Sequence, residues 1–134
     1  MEKKWGRAGI AGEKFLCVAT FLPVRRWRYI APFLWLSFRI ETHLKQSPGL
    51  VRYGLKTDIP RKHFWTLSMW NDRMDVEGFV ASEPHRTAVK HFEKWAGPGA
   101  AFVEWESSRS EPFWAEALER LKSPTFYYHP VGGR

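Results

Sequence analysis

The sequence predicts an α+β domain on the ferredoxin-like βαββαβ pattern, an antiparallel sheet with helices on one face. Three observations carry this. Apolar runs of strand length occupy residues 15–22, 50–57, 63–70 and 100–106. Segments with helical periodicity separate the first run from the second and the third from the fourth. Ser47-Pro48-Gly49 and Gly97-Pro98-Gly99 close those two helical segments.

The elements follow in order. The run FLCVATFL at 15–22 is bounded by Pro23, as expected of a strand buried on both faces. A loop with Arg25 and Arg26 leads to a helix over about 31–46, with Pro32 in its first turn. Phe33, Ser37, Ile40 and Leu44 share one face, with Leu34 and Phe38 beside them. Trp35 and Leu36 widen the apolar surface, which points to burial on more than one side, possible with a partner subunit.

Residues 50–57 and 63–70 alternate and form a hairpin around Pro60. Val51, Tyr53 and Leu55 are expected on one face of the first strand, and Arg52, Gly54 and Lys56 on the other. In the second strand Trp65, Leu67 and Met69 oppose Phe64, Thr66, Ser68 and Trp70. Trp65 is expected beneath the helices. Asn71 or Asp72 caps a helix that turns Val76, Phe79 and Val80 inward. Ser82 and Pro84 restart helical structure, and His85, Ala88, Val89, Phe92 and Trp95 then share a face. A strand at 100–106 and a short helix at about 112–121 complete the pattern, the latter with Phe113, Ala117, Leu118 and Leu121 inward.

The 134 residues suffice for one domain and are too few for two. The domain is expected over 14–122, with a flexible arm at 1–13 and an irregular tail at 123–134. Helices on one face leave the other face of the sheet to be covered, and these strands are apolar or aromatic on both faces. A second copy of the sheet would cover it, making a dimeric α/β barrel and a homodimer through the open sheet face.

Composition bounds the partners. Eight Trp and ten Phe exceed the ordinary needs of so small a core, and they fit a pocket or an interface as well as simple core filling. The net charge of +7 raises an anionic partner. Only Arg25, Arg26 and Arg28 cluster, however, so a basic surface is expected in preference to nucleic-acid binding. Cys17, the single cysteine, excludes an internal disulfide and is expected to be a buried, inert thiol. No secretory segment is visible in the polar first residues. The apolar stretch 29–38 falls short of the roughly 20 residues that span a bilayer. A cytoplasmic protein with no membrane partner is expected.

Residues 64–95, FWTLSMWNDRMDVEGFVASEPHRTAVKHFEKW, resemble the antibiotic-biosynthesis-monooxygenase-like group of dimeric α/β barrels. The similar elements are a strand ending in Trp70, the cap at Asn71-Asp72, an inward Phe79, and Ser82 followed by His85. The helix closing on Ser47-Pro48-Gly49-Leu50 is similar to that group and to proteins of the spheroidene monooxygenase type. The resemblance spans about 15–107. It implies a choice of activities. Some members oxidise aromatic or quinol substrates with dioxygen and no bound cofactor, and others bind or degrade haem. Fold alone does not decide between them.

His85 is the candidate catalytic residue. It lies in the first turn of a helix, on the apolar face, where the helix dipole disfavours imidazolium. Neutral imidazole can accept a proton or ligate iron, and the alternative is a core histidine bonded to backbone. The resemblance implies that a histidine on this helix is the iron ligand in haem-binding relatives, so the cofactor is none or haem. Trp70, Arg52 and Phe79 are the candidate ligand-binding residues. Trp70 would stack on a flat ligand or pack in a dimer interface. Arg52 would hold an anionic group if its sheet face lines the pocket, or else stand exposed. His63 and His91 are expected at the surface. No metal site is expected without haem, since His85 and His91 do not share a helix face as an i,i+4 pair would. Glu104 and Glu106 are expected on a solvated strand face. The sequence reading is thus a monooxygenase-like protein acting on a hydrophobic or aromatic small molecule. The alternatives are a non-catalytic haem- or ligand-binding module and a basic nucleic-acid binder.

Overall fold

The structure, a computed structural model, describes residues 2–6, 15–83, 85–107 and 114–127. Its strands are β1 (Glu2–Gly6), β2 (Phe15–Pro23), β3 (Leu50–Asp58), β4 (His63–Trp70), β5 (Ala101–Ser107) and β6 (Phe126–Tyr127). Its helices are α1 (Ile30–Lys45), α2 (Arg73–Ala81), α3 (His85–Trp95) and α4 (Trp114–Arg120). The strands form one sheet in the order β1-β3-β4-β2-β5-β6, antiparallel throughout. The inner four, β3-β4-β2-β5, have ferredoxin-like order, and α1, α2 and α3 lie on one face as expected.

Both ends of the sheet differ from the sequence reading. Glu2–Gly6, expected within a flexible arm, pairs with β3 from Glu2↔Lys56 to Gly6↔Arg52. Phe126 and Tyr127, expected within an irregular tail, pair with β5. A sheet edge presents unpaired main-chain groups that any chain segment can satisfy. Composition therefore gave no sign of either strand. The rest of the expected arm, the rest of the tail, and Pro84 and Phe113 lie outside the described residues.

The two faces of the sheet carry separate cores. On the α1–α3 side, Leu44, Leu50, Tyr53, Trp70 and Phe79 form one cluster, and Phe33, Phe64 and Phe92 belong to another. On the opposite side Phe15, Cys17, Leu67, Met69, Val103 and Trp105 pack around Ala117 of α4. Burial pushes the Cys17 thiol up to about 12, the inert state expected of it.

Two assignments of side chains to faces change. Period-two alternation sorts a strand into two sets but does not say which set meets the helices. Trp65 lies on the face away from α1–α3, stacked on Phe21 of β2 at 5.4 Å. A register shift between Leu50 and Arg52 puts Val51 on the α4 side, while Tyr53 and Leu55 face α1.

The α4 face was expected to be open to a second copy. Here α4 covers it within the chain, and Ala117 at its centre is 0% exposed. The argument for a dimer through a bare apolar face loses its premise where α4 lies.

Candidate functional site

A cavity of about 240 Å³ lies between the sheet and α1–α3. Val18, Thr20 and Leu22 of β2, with Phe64, Thr66 and Ser68 of β4, form its sheet side; cross-strand register brings these residues together. The hydroxyls of Thr20 and Thr66 hydrogen-bond to each other. Phe33, Ile40 and Leu44 of α1 close one wall, and Val76, Phe79 and His85 another.

Local chemistry sets the second wall. The Asp72 carboxylate accepts from the Asp75 N–H at 3.1 Å and starts α2. Ser82 ends it: its hydroxyl donates to the Phe79 carbonyl at 2.8 Å, while its own carbonyl accepts from the Arg86 N–H at 3.1 Å. This bend seats His85 in the first turn of α3. The Ser82 oxygen also lies 3.0 Å from Nε2 of His43. Because the Ser82 proton goes to Phe79, His43 is the donor in that contact.

Phe79 organises the rings. His43 stacks on it at 5.4 Å, Trp70 tilts against it at 5.5 Å, and His85 meets it edge-on at 5.2 Å. Trp70 is 1% exposed, and its indole N–H donates to the Ser68 hydroxyl at 2.9 Å. The Nδ1 of His85 is buried and has no hydrogen-bond partner among the described residues. Burial lowers the His85 pKa and the nearby His43 lowers it further, against an opposing backbone interaction with Val80. The imidazole is held neutral.

No protein-family model matches the sequence, and no curated protein does. Solved structures match the fold. An antibiotic biosynthesis monooxygenase superposes with TM-score 0.62 at 20% identity, over 69% of this chain and 97% of that one. SnoaB from Streptomyces nogalater, a cofactor-independent oxygenase, gives 0.53 at 14%, over 76% and 98%. LmHde from Listeria monocytogenes, a heme-degrading enzyme, gives 0.60 at 16%, over 76% and 65%.

The chain has the antibiotic-biosynthesis-monooxygenase fold.

Within this monooxygenase fold the structure brings together three of the four candidate site residues. His85, Trp70 and Phe79 all line the cavity. Arg52 does not: it pairs with Met69 on the α4 side of β3, across the sheet from the cavity. His91 is exposed, as expected, and stacks on Trp95. His63 is not fully solvated, lying against Phe21 and Trp65 with its pKa lowered by burial. Glu104 pairs with Arg73 at 2.9 Å.

Two groups escaped the sequence reading. The Tyr53 hydroxyl donates to the buried Glu41 carboxylate in the cavity wall. Burial, with Glu41 beside it, raises the Tyr53 pKa. Both residues sit at inward positions of elements read only as apolar, and a carboxylate among the apolar positions of α1 was the available signal. His43 carried no such signal.

A porphyrin does not fit this site. The cavity is smaller than the roughly 300–1,000 Å³ of common cofactor pockets. Among the described residues Lys56 is the one permanently cationic residue along it, and its ammonium lies 5.9 Å from the Trp65 ring centroid, drawn to the far face. The propionates of a haem would have no cationic partner in the cavity. Among the described residues, no group of three or more His, Cys, Asp or Glu is placed to hold a metal ion.

Proposed function

We propose that the protein binds a hydrophobic aromatic molecule of one or two fused rings in this cavity and oxidises it in monooxygenase fashion. The observation that carries the reading is His85 in the wall of a largely apolar cavity, its buried Nδ1 without a hydrogen-bond partner among the described residues. An apolar cavity of about 150 Å³ is enough for benzene, so 240 Å³ suits a naphthalene-sized ring system.

In this reading neutral His85 takes a proton from a ring hydroxyl. Trp70 and Phe79 hold the ring plane, and the apolar walls exclude water from the resulting anion. An electron-rich anion of this kind can reduce dioxygen directly, taking one oxygen atom while the other leaves as water. The chemistry then needs no bound cofactor, in keeping with the cofactor-independent oxygenase that shares the fold.

A second reading, a binding module without turnover, is favoured by one observation. Much of the wall's other polar chemistry is already paired, Glu41 with Tyr53, Thr20 with Thr66 and Ser68 with the Trp70 indole. An oxygen electrode separates the two readings. With a dihydroxynaphthalene, the first expects oxygen uptake above the uncatalysed rate that falls at least about a hundredfold in His85→Ala. Saturable binding with no added uptake would establish the binding module, and neither response would overturn both.

A further inference from the structure

The outer side of α1 is apolar where a soluble helix should be polar. Trp35 is 62% exposed, Phe38 60% and Leu34 44%, and Trp27 in the 3₁₀ turn before the helix is 56% exposed. The breadth of this apolar surface predicts burial on more than one side, and no described element covers it. Arg25, Arg26, Arg28 and Arg39 stand exposed around them. The one carboxylate between residues 24 and 46, Glu41, is buried on the inner side. The patch is therefore aromatic and cationic, and residues 24–46 contribute no exposed acid to it. Leu34 belongs both to this exposed patch and to the cavity wall.

We propose that the 3₁₀ turn at Trp27 and the outer side of α1 form a docking surface for an anionic lipid bilayer. Tryptophan and phenylalanine seat at the headgroup level, and arginines beside them pair with lipid phosphates. The contact is peripheral: no described helix is long and apolar enough to cross a membrane. Docked this way, the cavity wall at Leu34 faces the lipid, and a ring compound dissolved there enters without crossing water. That last step rests on the function proposed above; the docking does not.

The geometry favours lipid over two other occupants. A second copy joined about a twofold axis would bring two arginine-bearing surfaces together without an exposed acid from residues 24–46 to offset them. A single-stranded nucleic acid needs ring faces free for its bases, whereas Trp35 and Phe38 stack on each other at 6.4 Å on a convex helix.

Co-sedimentation of the full chain with vesicles tests this. Vesicles of phosphatidylglycerol mixed with phosphatidylcholine should carry the protein down, and pure phosphatidylcholine should do so far less. The double variant Trp35→Ser/Phe38→Ser should lose at least about tenfold in partitioning. Each of Arg25→Gln and Arg28→Gln should lose roughly fivefold. Circular dichroism checks the fold of each variant, and an emission blue shift of the parent's tryptophans on vesicle addition reports insertion independently. His85→Ala should sediment like the parent, so failure of the proposed chemistry leaves this result intact. Parent protein that stays in solution with anionic vesicles would overturn the proposal. So would a Trp35→Ser/Phe38→Ser protein that sediments like the parent, or a single-stranded oligonucleotide that binds the patch and displaces the vesicles.

Discussion

The His85 ring meets the Phe79 ring edge-on, with 5.2 Å between centroids and 60° between planes. This contact ties the end of α2 to the start of α3 across the Ser82 bend. It gives Phe79 two roles, as a core residue and as the support that sets the imidazole in the cavity wall. Phe79→Ala should therefore cost about 3–5 kcal/mol of stability, the usual range for losing a buried phenylalanine, read from the urea midpoint. It should also weaken ligand binding by more than Phe79→Leu does. Equal binding by both variants would show that the ring does not support the site.

Acid should destabilise the fold through His85. Its folded pKa lies below its ordinary 6.5, because burial and His43 disfavour the charged form. The unfolded chain thus takes up a proton first. The stabilising contribution is complete above pH 6.5 and is lost as pH falls from there through the lower folded pKa. His63 shifts in the same direction and adds to the effect. The informative measurement is the difference between the parent and His85→Gln, followed by thermal unfolding from pH 7.5 to pH 5. The parent should lose more stability than the variant, and parallel curves would contradict the assignment.

The buried Glu41 carboxyl accepts a hydrogen bond from the Tyr53 hydroxyl. Tyr53→Phe removes that donor with little change in volume. It should lower stability by about 1–3 kcal/mol, the cost of leaving a buried acceptor short of a partner. Chemical denaturation measures this directly. Tyr53→Phe as stable as the parent would mean that Glu41 does not need the phenol.

Ala117 marks where α4 seals the far face of the sheet. Ala117→Arg inserts a charge and a long side chain at a site that is 0% exposed. Loss of at least about 3 kcal/mol is expected. Analytical ultracentrifugation of the same variant, at a temperature where it remains folded, asks whether uncovering the face leads to self-association. An Ala117→Arg protein of parental stability would show that α4 does not lie where it is described.

Much of this site was legible because it depends on local rules. Asp72 caps α2, His85 opens α3 and Phe79 faces inward, each from spacing that a helix fixes. Gly49 ends the α1 turn with φ at +83°, where a side chain would also overlap Asp75. What escaped depends on tertiary choice. Nothing in β4 says which of its two faces meets the helices, so Trp65 was set beneath them and lies opposite. Arg52 was correctly opposed to Tyr53, but the cavity lies on the Tyr53 side. The Glu41–Tyr53 pair joins a helix to a strand, and only the packing of one on the other brings them together. The terminal strands β1 and β6 are held by main-chain bonds that composition does not reveal.

The central claim is that Nδ1 of His85 receives the ligand's hydroxyl. Nitrogen NMR of protein labelled at its histidines, with His85→Gln to assign the signal, tests it most directly. The free protein should show an unprotonated Nδ1 at neutral pH, and a dihydroxynaphthalene should shift that resonance as the nitrogen gains a hydrogen bond or a proton. A ligand that binds and leaves the His85 Nδ1 resonance where it was would contradict the account.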